Sequence, residues 1–232
     1  MRTAVIVAHP QLEDSGTQRF LKEATTSLRR IDWHELKVNS SGHFDAVAEK
    51  KFLKDKKRII FQFPLYWYSA PAILKQWMDE IFDIADVAWL QNKELGLAVS
   101  LGQPLKEYRL GGREGIALSS LLSPFQAFAK RLQMRLMPLF IIEQFVYQND
   151  RKHQELLTKY QQFLELPIDF NFDQSQSWFE NKLKEMMKEI DVEDKKKLEL
   201  ILEGYKERHE QLQELTREVS LLRQEDDQHG EQ

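Results

Sequence analysis

Apolar residues along the first 145 positions follow two alternating rhythms. Short β-branched or aromatic runs are separated by stretches in which apolar residues return every three or four positions. Thr3–Val7 reads as a first strand, followed by a helix over 17–30 with Phe20, Leu21, Ala24 and Leu28 on one face. A second strand is predicted over 33–38 and a helix over 45–53 that Asp45 can cap. The run from Arg58 to Phe63 is a strand of the fully buried type. A helix over 71–82 follows, with Pro71 suited to its first turn. Leu95 to Leu101 gives a fourth strand. Ser123 is the expected cap of a helix to Leu132 with Pro124 at its first position, and 136–142 gives a fifth strand with Pro138 near its start. Strands and helices in strict alternation predict an α/β fold, a doubly wound parallel sheet with helices on both faces.

The rhythm changes after Phe145. Residues 149–164 read as a helix, and 167–173 as a connector anchored by Phe170 and Phe172. An amphipathic helix is predicted over 178–190 and a long, highly charged one over 193–223. In the last helix Ile201, Tyr205, Leu212, Leu215, Val219 and Leu222 form a seam of about three heptads, interrupted at Arg208. Such a seam docks on its own domain or pairs with a second copy; the pattern allows both. Residues 226–232 are expected to fray. The division predicted is an α/β domain over 1–148 and a helical C-terminal extension over 149–232.

Composition narrows the chemistry. With 42 % hydrophobic and 11 % aromatic residues, the 232-residue chain can bury a full core. A net charge of -4 gives no basis for nucleic-acid binding. The chain has no cysteine, which removes disulfides, thiolate metal sites and a cysteine nucleophile, so redox chemistry would need an organic cofactor. No apolar run approaches the ~18 residues of a membrane span, and the first residues do not read as a signal peptide. A cytoplasmic protein without membrane insertion is expected. His34, His43, His153, His209 and His229 show no metal-ligand spacing.

Two segments stand out as places for chemistry. After the third strand comes Pro64-Leu65-Tyr66-Trp67-Tyr68-Ser69-Ala70-Pro71, at the carboxyl end of the sheet where open α/β folds bind ligands. Three consecutive rings there either cover a flat apolar ligand or plug the protein's own core. After the first strand, residues 8–18 lead into a helix start where Ser15 and Thr17 can cradle an anion, although Ser15 is equally an ordinary cap. Neither glycine fingerprint for nucleotides is present, and Glu13 and Asp14 put negative charge nearby.

The run from Phe63 to Lys75, with its Pro-Leu-Tyr-Trp core and Pro-Ala-Ile-Leu-Lys continuation, resembles the flavin loop of the flavodoxin-like NAD(P)H:quinone oxidoreductases. That family includes general-stress reductases and ancillary subunits of potassium-efflux systems, and the resemblance spans about residues 1–150. It implies a flavodoxin-like flavin-binding domain over 1–148 with a five-stranded sheet, FMN (or FAD) as cofactor, NAD(P)H as co-substrate, a quinone or similar acceptor, and a homodimer. It places the flavin phosphate on His9, Ser15, Thr17 and Gln18. The ring falls on Pro64, Leu65, Tyr66, Trp67 and Tyr68, with the backbone N–H groups of Leu65, Tyr66 and Trp67 aimed at its electron-rich edge. A second ring contact falls on Ser100 and Gly102, although Leu101 and Gln103 replace the family's hydroxyl and second glycine. Tyr108 takes the role of hydrogen-bond donor to the ring or quinone oxygen; a surface tyrosine packing over the turn is its plain alternative. The resemblance also extends to Leu121–Phe128, a helix near the family's dimer interface. The implied activity is ping-pong hydride transfer through the flavin. The competing reading is an accessory protein that uses the same scaffold to hold a partner.

Overall fold

In a computed structural model, residues 1–188 and 192–229 are described. They form two compact units, Met1–Ile168 and Asp169–Gln232. The first unit therefore runs past the predicted boundary at 148 and takes in a further helix.

Its elements follow in chain order as β1 (Thr3–Val7), α1 (Gly16–Thr25), β2 (Ile31–Glu35), α2 (Ala46–Lys54), β3 (Arg58–Pro64), α3 (Ala72–Ile81), α4 (Val87–Leu90) and β4 (Glu94–Leu101). Next come α5 (Leu118–Leu121), α6 (Ser123–Arg131), β5 (Arg135–Leu136), β6 (Phe140–Glu143) and α7 (Asp150–Glu165). The sheet is parallel throughout, in the order β2-β1-β3-β4-β5, and β6 pairs with β4 further along the same edge. This is the flavodoxin-like winding, with β1 and β3 adjacent at the switch point.

Alternation along the central strands explains the two-sided core. On β1, Ala4 and Ile6 join one apolar cluster while Val5 and Val7 join the other. Ile59, Phe61 and Phe63 face the first cluster with Leu74 and Trp77 of α3 and Phe125 of α6. Ile60 and Ala98 face the second, with Leu21 of α1 and Leu156, Tyr160 and Leu164 of α7. Close approach of α7 is possible because Gly96 has no side chain: a Cβ there would lie 2.4 Å from Ile60 and 2.8 Å from Phe163.

α7 is tied down by polar contacts as well. Thr3 Oγ1 donates to the Leu164 carbonyl at 3.1 Å. The fully buried Arg58 donates to the carbonyls of Phe163 and Leu166 and pairs with Glu94 at 2.7 Å. These carbonyls end α7, so a buried guanidinium supplies the donors that its last turn lacks. Between α1, β3 and α7 the Tyr160 hydroxyl donates to Gln62 Oε1 at 2.6 Å, and Gln62 Nε2 donates to Gln18 Oε1 at 2.6 Å.

Several boundaries differ from the sequence pattern. α1 stops at Thr25 rather than Arg30, and β2 is displaced to Ile31–Glu35. Asp45 does cap α2, accepting the N–H groups of Val47 and Ala48. Ser123 is not a cap: it is the first residue of α6, Leu122 holds the cap position, and the Ser123 hydroxyl donates to the Ser120 carbonyl at 2.8 Å. The fifth strand is split. Leu95 pairs with Leu136 and Ala98 with Phe140, so four steps on the edge answer three on β4, and Pro138 sits in the interruption. A proline cannot donate to the ladder, and one extra residue removes it from register.

In the second unit α8 (Phe172–Met186) starts earlier than predicted, because Asn171 and Gln174 form a capping box. Phe170 and Phe172, expected as anchors of the connector, are 40 % and 54 % exposed, and Phe172 is the first residue of α8. α9 runs from Val192 to His229, so helix continues into the segment expected to fray, whose last three residues lie outside those described. Ile190 also lies outside the described residues. Phe179 of α8 and Tyr205 of α9 have ring centroids 5.1 Å apart, while Ile201, Leu212, Leu215 and Val219 are exposed. Among the described residues no helix is long and apolar enough to cross a membrane.

Tyr160→Phe removes one hydroxyl from the buried relay and strands Gln62 Oε1. The expected loss is about 1–3 kcal/mol of unfolding free energy, read as a lowered urea midpoint at unchanged slope. An unchanged midpoint would show that the relay contributes no stability.

Candidate functional site

Four loops leave the carboxyl ends of β1, β3, β4 and β6 on one side of the sheet and enclose a cavity of about 310 Å³. His9, Ser15, Thr17, Pro64, Leu65, Tyr66, Ser100, Gly102 and Tyr108 line it together.

The loop after β1 starts with the Ala8 N–H bonded to the Gln62 carbonyl at 2.9 Å, which fixes its exit direction. His9 Nδ1 accepts the Gln11 N–H at 3.1 Å, so the neutral ring carries its proton on Nε2, the atom 3.4 Å from the Tyr66 hydroxyl. Burial holds the His9 pKa below its ordinary 6.5. Ser15 caps α1 by accepting the Gln18 N–H at 3.3 Å, and the first turn of α1 carries no acidic residue. Ser15 thus caps the helix and lines the cavity. Gln18 does not line it: its side chain is buried beneath, bonded to Gln62, so the predicted phosphate role gives way to a structural one.

The loop after β3 is a tight reverse turn. Tyr66 and Ser69 exchange backbone hydrogen bonds at 3.0 and 3.1 Å, and the two residues between them, Trp67 (φ 48°) and Tyr68 (φ 63°), both adopt left-handed conformations. Mirror-type turns normally take Asn or Gly at these places; each bulky residue here costs about 1–3 kcal/mol. The geometry changes which amides are free. The Leu65 N–H is bonded to the Ser100 carbonyl at 2.9 Å and the Tyr66 N–H to Ser69, so neither is aimed at a ligand as predicted. The N–H groups of Trp67 and Tyr68 have no acceptor among the described residues. Trp67 is 93 % exposed, so its ring does not plug the core, and neither Trp67 nor Tyr68 is among the residues that line the cavity. Tyr68 donates to Glu114 at 3.0 Å, which raises the tyrosine's pKa.

After β4, Gly102 has open space where a Cβ would stand, so the main chain is bare toward the cavity. The chain then folds back at Gly112, where a Cβ would be 2.3 Å from the Glu107 carbonyl oxygen, and this return holds Tyr108. Tyr108 is buried, which pushes its pKa up and keeps it a proton donor at neutral pH.

The fourth wall was missed in the sequence. Gln144, left-handed at φ 47°, donates its N–H to the Leu101 carbonyl at 2.8 Å and turns Phe145, Val146 and Tyr147 into the cavity wall. The signal available was an apolar-aromatic run directly after the last strand, a place that a parallel sheet reserves for loops at its ligand-binding end. A separate apolar cleft of about 750 Å³ lies between α3 and α6, lined by Met78, Phe82, Phe125 and Phe128 and reaching Ser69 and Ala70.

The elements of an anion cradle, a strained turn with two free amides and a bare glycine backbone suit a phosphorylated planar ligand. Residues 1–165 match the family described as having the flavodoxin-like fold. An uncharacterized NAD(P)H oxidoreductase of Bacillus subtilis is 40 % identical over 149 residues, 60 % of this chain and 84 % of that protein. The crystal structure of an NADPH-quinone reductase from P. pentosaceus superposes with a TM-score of 0.68 at 39 % identity, covering 72 % of this chain and 99 % of its own. General stress protein 14 of Treponema denticola, solved in complex with FMN, superposes at 0.64 with 30 % identity over 71 % of this chain and 98 % of its own.

The His9 ring is expected to titrate below 6.5. On acidification the unfolded chain takes up the proton first, so wild type should lose stability relative to His9→Gln as pH falls from 6.5 toward the lower folded value. NMR titration of the imidazole gives the midpoint directly; a value at or above 6.5 contradicts the buried, neutral assignment.

Proposed function

The chain belongs to the flavodoxin-like fold family, and from that premise we propose that it is an FMN-dependent NAD(P)H:quinone oxidoreductase. One observation carries the reading: His9, Ser15 and Thr17, Leu65 and Tyr66 at the start of the turn after β3, the bare backbone at Gly102 and the phenol of Tyr108 surround a single cavity. The relatives named as NAD(P)H oxidoreductase and NADPH-quinone reductase, and the one solved with FMN, support it.

Bound FMN would supply the chemistry, taking a hydride from NAD(P)H and passing it to a quinone in a ping-pong cycle through one pocket. The protein's own residues position and polarise. Ser15, Thr17 and the amides at the start of α1 hold the phosphate, and neutral His9 offers an Nε2 proton without adding charge. The free N–H groups of Trp67 and Tyr68 serve the ring edge where negative charge gathers on reduction. Storing strain in that turn fits a surface organised before the ligand arrives. Tyr108, kept protonated by burial, donates a hydrogen bond to the acceptor oxygen.

Protein reconstituted with FMN should show bound-flavin absorbance bands and oxidise NADPH when menadione is added. Trp67→Ala should weaken FMN binding by about ten-fold with little change in melting temperature, since the side chain is exposed. Unaltered FMN affinity in that variant, measured by fluorescence titration, would place the ring elsewhere.

We further propose a homodimer in which the second unit takes part, supported by the exposed apolar positions Ile201, Leu215 and Val219 on α9. Deleting residues 169–232 should then lower the subunit count seen by light scattering. A truncated protein with the parent's subunit count excludes that role.

A further inference from the structure

Beyond the wall formed by Tyr108, Gln144 and Tyr147 lies a second cavity of about 880 Å³, and those three residues line both. Four cations line this trough: Lys106 and Arg109 from the turn after β4, and Lys152 and Lys159 from α7. None of the four forms an ion pair with a described residue. The two carboxylates in the same lining are already engaged: Glu143 accepts the Leu105 N–H at 2.5 Å, and Glu155 pairs with Arg151 at 3.3 Å. In a chain of net charge -4, four cations against two carboxylates leave this one concave site locally positive, a field that favours an anion. Lys152 and Lys159 stand on one face of α7 with the buried Leu156 between them, and Phe140 and Ile141 add apolar surface on which a base or ribose can lie.

We propose that this trough binds the adenosine-phosphate end of NADPH, with the 2′-phosphate held by Lys152 and Lys159 and the pyrophosphate by Lys106 and Arg109. The inference rests on the reductase reading above. A nicotinamide dinucleotide anchored here can reach across the shared Tyr108–Gln144–Tyr147 wall, so its reactive ring enters the smaller cavity. The cations come as two pairs, one on the turn after β4 and one on α7. The pyrophosphate takes the first pair, and the second pair suits the 2′-phosphate, which NADPH carries and NADH lacks. FAD also ends in an adenosine pyrophosphate but has no 2′-phosphate, so the extra group separates the two sources.

Calorimetry on the full chain with adenosine 2′,5′-bisphosphate as probe tests the site without any flavin. Wild type should bind it about ten-fold more tightly than adenosine 5′-monophosphate, and Lys152→Gln/Lys159→Gln should lose most of that difference, while Lys152→Arg/Lys159→Arg retains it. With FMN loaded, the Gln pair should raise KM for NADPH about ten-fold and leave KM for NADH unchanged. Equal affinity for the two probes, or equal bisphosphate affinity in wild type and the Gln pair, overturns the assignment. So does a Gln pair that loses FAD affinity but keeps its NADPH KM, since the trough would then serve a flavin adenylate. Protein that fails to bind FMN but still binds the bisphosphate through these lysines would refute the reductase reading and leave the trough standing.

Discussion

The site depends on the buried relay of Gln18, Gln62 and Tyr160. Gln62 sits in the middle of β3, fully buried among apolar neighbours, and its amide would be costly there without partners on both sides. It accepts from Tyr160 of α7 and donates to Gln18 of α1. One side chain therefore sets the positions of three elements: the helix whose start carries Ser15 and Thr17, the strand that leads to the strained turn, and the helix that presents Lys152 and Lys159. Satisfied on both sides, the relay also gives α1 and α7 a preferred register that apolar packing alone would leave loose.

Above this relay the site is made mainly from main chain. The left-handed pair Trp67 and Tyr68 frees two amides, Gly102 leaves the backbone bare, and the left-handed Gln144 returns the chain against Leu101. Among the side chains there, Trp67 is exposed, Tyr68 is held by Glu114, and Leu101 is buried where it borders the cavity. Leu101 and Gln103, which replace a hydroxyl and a glycine of the resembled motif, line the cavity beside Gly102 without closing it.

Most of the sheet was legible because it obeys a simple period. Thr3–Val7 and Arg58–Pro64 are buried on both faces, and such strands are continuous apolar runs in any parallel sheet. Caps read from local chemistry succeeded where the side chain had no competitor, as at Asp45, and failed at Ser123, whose hydroxyl bonds back to Ser120 instead. The place of α7 could not be read from its pattern. Its amphipathic face looks like that of an appended helix, and Arg58, Thr3, Gln62 and the gap left by Gly96 bind it to the sheet.

Local sequence by itself determined the alternation of strands and helices, the aromatic turn between two prolines and the hydroxyl-bearing helix start, since each follows from neighbouring residues and their spacing. Tertiary structure decided which groups face the cavity. Gln18 and Ser15 lie three positions apart on one turn, yet one is buried under the sheet and the other lines the opening. The free amides, the wall at Gln144–Tyr147 and the gathering of four cations likewise arise from segments distant in the chain. Such convergence is set by packing and hydrogen bonding between elements, which leave no local pattern to read.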